Sequence, residues 1–217
     1  MSGSTPAARP DATVFATADV VRTSRRDDLL LIELRDPGGY PRLTRAVLEE
    51  LHRHFDQLER IAGVRAIVLT GTGKSFAAGA DLAEVGALNA AEALRFSALG
   101  QSLMRKIEQS AKPVLAAIRG YCLGGGFDLA LACHLRVAAR DAVFGHPGAT
   151  LGIITGWGGT ARLPRVLGPG GRAQAMEMLV SGRTITASEA YAWGLVSRVV
   201  EPEELLATAM EIARGSA

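Results

Sequence analysis

Cysteine is nearly absent: the 217 residues hold two, Cys122 and Cys133, each inside an apolar stretch. Two such thiols read as buried and reduced, and they exclude the disulfide framework of a small secreted domain. Aromatic residues are also few, at 5%. No Lys/Arg run forms a basic tail, and the formal charge of +2 is too mild for a nucleic-acid footprint. Apolar runs such as 114–118 and 129–133 fall far short of the roughly 20 residues that cross a bilayer. The first residues carry no apolar core of signal-peptide length. These absences leave a cytoplasmic chain without nucleic-acid or membrane partners as the expectation. What is present is 48% hydrophobic and 21% charged residues, enough for one sizeable core without metals or disulfides. The expected division is a flexible tail over 1–15, a core over 16–200 and a short C-terminal helix over 201–217.

Strand-like and helix-like patterns alternate along the core. Residues 29–34 form a short apolar run that ends in DPGGYP. Leu43, Val47, Leu48, Leu51, Phe55, Leu58 and Ile61 then recur at steps of three and four, one face of an amphipathic helix that Gly63 stops. Within that helix His52 and His54, two apart, face different directions, and both read as solvated. Further strands are expected at 64–70, 113–118, 135–139, 142–145 and 195–200. Further helices are expected at 91–109, 127–133, 159–167, 171–181, 187–193 and 203–214. Such alternation predicts an α/β fold.

Two glycine-containing segments follow predicted strands and leave backbone N–H groups near a possible ligand. In Ala78-Gly79-Ala80-Asp81-Leu82 small side chains permit close approach to the backbone. In Gly124-Gly125-Gly126 the glycines open a helix, whose free N–H groups and dipole favour developing negative charge. Either segment alone also fits a packing turn. Other motifs fail: GTGKS lacks the P-loop glycine, because Val68 stands at its position. No G-x-G-x-x-G opens a helix after the first strand, and no G-x-S-x-G elbow occurs.

Taken in order, VRAIVLTGTGKSFAAGADLAEV, KPVLAAIRGYCLGGGFDLALACHLRVAARDAVFGHP, LGIITGWGGTARLPRVLG and SGRTITASEAYAWGLVSRVV closely resemble the crotonase (enoyl-CoA hydratase/isomerase) superfamily. The resemblance spans roughly 29–213. It implies a crotonase-like ββα spiral with a helical C-terminal region, usually assembled as trimers or pairs of trimers, acting on acyl-CoA thioesters. By this analogy the N–H groups of Ala80 and Gly125 grip the thioester oxygen as an oxyanion hole. Ala78, Ala80, Asp81, Leu82, Ala83, Gly124 and Gly125 contact the CoA thioester. Asp128 is the candidate acid/base. Coenzyme A belongs to the substrate, so neither a separate cofactor nor a metal is expected.

The chain also departs from the family pattern. Hydratases of the family use two glutamates, and here Asp128 and Gly148 stand at those positions. His146, two residues before Gly148, is a possible substitute acid or base, whereas Trp157 is expected to pack over the acyl pocket. An acid that some relatives carry at about Gly156 is missing, Leu34-Arg35-Asp36-Pro37 replaces the usual L-N-R-P, and the C-terminal region is shortened relative to the family. Hydratase/isomerase chemistry therefore leads. Decarboxylation, thioester hydrolysis and a catalytically weakened acyl-CoA-binding protein remain open.

Overall fold

The computed structural model describes residues 14–17, 20–58 and 60–215. Strands β1 (Val14–Thr17), β2 (Val21–Arg26) and β3 (Leu29–Leu34) form an antiparallel edge. Four parallel strands continue the sheet, namely β5 (Ala66–Gly71), β8 (Val114–Ile118), β10 (Leu135–Ala139) and β13 (Arg198–Val200). Every residue of β5 and β8 is buried, as parallel strands covered on both faces require. Their side chains alternate between two cores: Ile67, Leu69, Val114 and Ala116 enter the larger, while Ala66, Val68, Leu115 and Ala117 enter the smaller. Helix α8 (Leu205–Gly215) closes the smaller core with Leu205, Ala209 and Ala213.

Two lesser sheets lie beside the first. One runs β12 (Thr184–Thr186), β11 (Val143–Gly145), β9 (Tyr121–Leu123) and β6 (Ser75–Ala77), with β6, β9 and β11 parallel. The other pairs β4 (Arg42–Leu43) with β7 (Gly79–Ala80). Helices α1 (Arg45–Leu58), α3 (Ala90–Glu108) and α4 (Gly125–Ala132) fill the larger core, and α2 (Leu82–Ala87), α5 (Gly159–Leu167), α6 (Arg172–Ser181) and α7 (Ala187–Ala192) complete the chain. The α/β expectation therefore stands. GTGKS is the turn from β5 into β6 and opens no helix. Most of the expected tail lies outside the described residues.

His54 corrects the solvated reading. It lies one turn from Leu51 and Leu58 on the buried face of α1. Thr23 Oγ1 is 2.7 Å from its Nδ1 and Glu50 Oε1 is 2.9 Å from its Nε2. Burial lowers its pKa and outweighs the attraction of Glu50. His52 does face elsewhere, with Nε2 3.1 Å from the Leu99 carbonyl. Cys122 and Cys133 are buried and unpaired with each other, as expected.

Candidate active site

Parallel pairing of β6 with β9 brings the turns that follow them side by side. Gly79 has φ of +101°, which suits glycine alone, and a Cβ there would lie 3.0 Å from the Leu123 carbonyl and 3.6 Å from Gly125 N. Gly124, with φ of +51°, is the N-cap of α4, so the N–H groups of Gly125 and Gly126 have no acceptor within that helix. A cavity of about 370 Å³ opens over both turns, bordered by Ala78, Ala80, Leu82, Gly124 and Gly125 among others. These are five of the seven expected substrate contacts. Asp81 and Ala83 do not border it. Asp81 is the N-cap of α2, accepting from Ala83 N and Glu84 N and pairing with Arg42 Nη1 at 2.8 Å.

Asp128 stands in the first turn of α4, fully buried, on the cavity wall. Among the described residues it is the one acidic side chain bordering the cavity. Oδ2 accepts the Thr155 hydroxyl. Oδ1 lies 3.5 Å from His146 Nε2 and has no hydrogen-bond partner, nor has either imidazole nitrogen. Burial pushes the Asp128 pKa up to about 6, against the Thr155 hydroxyl, the N–H dipoles of Trp157 and Gly159 at the start of α5, and the charge of Arg162. Burial pushes His146 down to about 4. The carboxylate beside it opposes that shift only while ionised, and Asp128 protonates first as pH falls, so desolvation governs His146. Near neutral pH the pair is thus a carboxylate beside a neutral imidazole.

The sequence assigns no site role to Thr155 or Gly159. A Cβ at Gly159 would overlap Asp128 Oδ1 and lie 2.7 Å from His146 Nε2, so any side chain there would split the pair. Its sequence signal was present: Gly158-Gly159 opens a helix as Gly124-Gly125 does. Thr155 had none, because its contact crosses 27 residues. Gly148 borders the cavity and supplies no carboxylate, while Trp157 is buried in the wall as expected. No group of three His, Cys, Asp or Glu among the described residues is placed to hold a metal.

Comparison with known proteins places this geometry. The family model for Enoyl-CoA hydratase/isomerase matches residues 24–217. Crotonyl-CoA hydratase of Syntrophomonas wolfei is 43% identical over 190 residues, which cover 87% of this chain and 72% of that protein. Short-chain-enoyl-CoA hydratase of Clostridium acetobutylicum is 41% identical over 184 residues, covering 84% and 69%. Among solved structures, an enoyl-CoA hydratase from Bacillus anthracis superposes with a TM-score of 0.85 at 39% identity, over 90% of this chain and 76% of that one. Pseudomonas aeruginosa DspI gives 0.87 at 30% identity, over 94% and 77%. With the family model spanning nearly the whole chain and the same fold in solved relatives, the chain belongs to the enoyl-CoA hydratase/isomerase (crotonase) superfamily.

Proposed function

We propose that the chain acts on acyl-CoA thioesters as an enzyme of the hydratase/isomerase type, with Ala80 and Gly125 as oxyanion donors and Asp128 as the acid/base. The observation that carries this is the buried carboxyl of Asp128 on the wall of a cavity bordered by both backbone turns. In hydration, the Asp128 carboxylate takes a proton from water as its oxygen bonds to Cβ. The alkene electrons move to the thioester oxygen, where the Ala80 and Gly125 N–H groups meet the charge. Collapse of that enolate takes the proton to Cα, restoring the carboxylate. His146 accepts a hydrogen bond from protonated Asp128 in between. Because Gly148 supplies no second carboxylate, turnover should be lower than in relatives with two glutamates. The hydratase names of the relatives do not favour the decarboxylase, hydrolase or binding-protein readings. Incubation with enoyl-, β-hydroxy- and malonyl-CoA thioesters, with products identified by mass, tests the assignment. Loss of carbon dioxide or release of free CoA, with no hydration or isomerisation, would sink it.

Thr155 acts in this scheme as a positioning residue. Its hydroxyl lowers the Asp128 pKa, so Thr155→Val should raise that pKa further above its present value of about 6. The base is needed ionised. The acid limb of the rate profile should then move to higher pH by roughly one unit, with KM nearly unchanged, and Thr155→Ser should restore it. An acid limb that stays in place in the valine variant would deny the hydroxyl this role.

We also infer a homotrimer or a pair of trimers in the cytoplasm. The turn over Pro147–Leu151 packs against α6, and around them Leu151, Ile154, Met176 and Val180 are exposed, an apolar surface that a second copy would cover. Unpaired, buried thiols fit a reducing compartment. Light scattering on dilute protein should give a multiple of the chain mass, and a persistent monomer would contradict the assembly.

A further inference from the structure

Trp157 borders two cavities. The first is the 370 Å³ space over the two glycine turns. The second, about 220 Å³, shares Trp157 with the first and is bordered by Gln101, Arg105, Glu108, Arg162 and Arg165. Three arginines face one carboxylate there. Glu108 pairs with Arg162 at 2.8 Å and with Arg165 at 3.2 Å, so Arg105 adds positive charge that Glu108 does not balance.

The indole is held from several directions. A Cβ at Gly100 would overlap its pyrrole edge, and one at Gly125 would lie 2.6 Å from Cε3, so α3 and the start of α4 each offer a bare glycine against it. Phe96 meets it edge to face, with ring centroids 5.4 Å apart. Its own carbonyl accepts from Arg162 Nη1 at 2.9 Å, which ties the backbone to the charged side. A ring so confined has no room to swing aside for a longer ligand.

We propose that Trp157 is the specificity-determining residue for acyl length, a wall that ends the acyl cavity and separates it from the arginine-lined chamber. This rests on the acyl-CoA reading above. Short acyl groups fill the first cavity, and each further methylene must press on the indole. A smaller residue joins the two spaces, so the chain can extend into the second. Because that chamber carries excess positive charge, the extended acyl group it favours is one ending in a carboxylate.

The test compares kcat/KM for four-carbon, ten-carbon and ω-carboxy ten-carbon enoyl-CoA thioesters in the native protein, Trp157→Ala and Trp157→Leu, each checked by thermal melting. The native protein should favour the four-carbon substrate. In the alanine variant the ten-carbon to four-carbon ratio should rise by about tenfold or more, most for the ω-carboxy compound, with the leucine variant between. Equilibrium binding of the matching CoA thioethers gives the same comparison without turnover, should either variant fold and lose activity. An unchanged length ratio in a folded variant overturns the inference and leaves the acyl-CoA reading intact. Failure of the native protein to bind or turn over any of the thioesters overturns both.

Discussion

Asp128→Asn is expected to lower turnover by about a thousandfold while making the folded protein more stable at neutral pH. The loss follows from replacing a base with an amide of the same shape that accepts no proton, and a positioned base supplies about 10²–10⁴ in rate. CoA affinity should change little, because the proposed role of Asp128 is confined to the reacting end of the ligand. The gain in stability follows from burial. The folded-state pKa of about 6 lies above the ordinary 3.8, so the folded protein holds this proton more tightly than the unfolded chain. Stability from this group is fully present below pH 3.8 and is lost as pH rises through about 6. Above that, burying the ionised carboxylate costs about 3 kcal/mol. Asparagine never ionises, although it gives Thr155 a weaker acceptor. Urea unfolding should therefore favour the variant by about 1–3 kcal/mol at pH 8, with the difference vanishing near pH 4. A variant less stable than the native protein at both pH values would mean that the surroundings welcome the charge.

Gly125→Ala should damage both the site and the fold. The backbone there is helical, so alanine itself is not strained. The difficulty is spatial, since the new Cβ would overlap Cζ3 of Trp157 and lie 2.6 Å from its Cε3, and Gly100 blocks retreat. The start of α4 must then give way, carrying the Gly125 N–H with it. Misplacing the proposed oxyanion donor should cost about 10²–10³ in rate, and overpacking about 1–3 kcal/mol of stability. Adding Trp157→Ala should recover much of the stability, because the methyl then has space. Thermal melts of the two single variants and the double variant measure this coupling. Strict additivity would show that the indole and the helix start do not press on each other.

The strands and helices with dense apolar patterns were legible from the sequence. The run over Leu29–Leu34 and the three-and-four spacing before Gly63 announce a strand and a helix because burial demands those periods. Where burial is not apolar, the pattern is silent. Strand β2 reads as a charged segment, VRTSRR, yet its buried residues include Thr23 and Ser24, which polarity hid. Helix α2 buries no residue and so leaves no periodicity to find. His54 departs from its sequence pattern for the converse reason: charged neighbours in sequence disguise a polar residue whose partners, Thr23 and Glu50, satisfy it in the core. At the site, motif order indicated Asp128 and His146, but that they lie 3.5 Å apart, and that Thr155 holds the carboxylate, follow from contacts between distant segments.

Strands β6 and β9 are adjacent rungs of a parallel ladder, with Ala77 opposite Cys122, and the proposed donors Ala80 and Gly125 each stand three residues beyond those partners. The pitch of the ladder, about 4.8 Å between neighbouring strands, and the equal number of residues beyond each partner bring the two turns side by side. A substitution at Asp128 changes the acid on the cavity wall and leaves that count of residues untouched. Adding or deleting a single residue between Ala77 and Ala80 would break the alignment with every side chain kept. In the proposed scheme the grip on the thioester oxygen is written as a count of residues, and the proton chemistry as a choice among them.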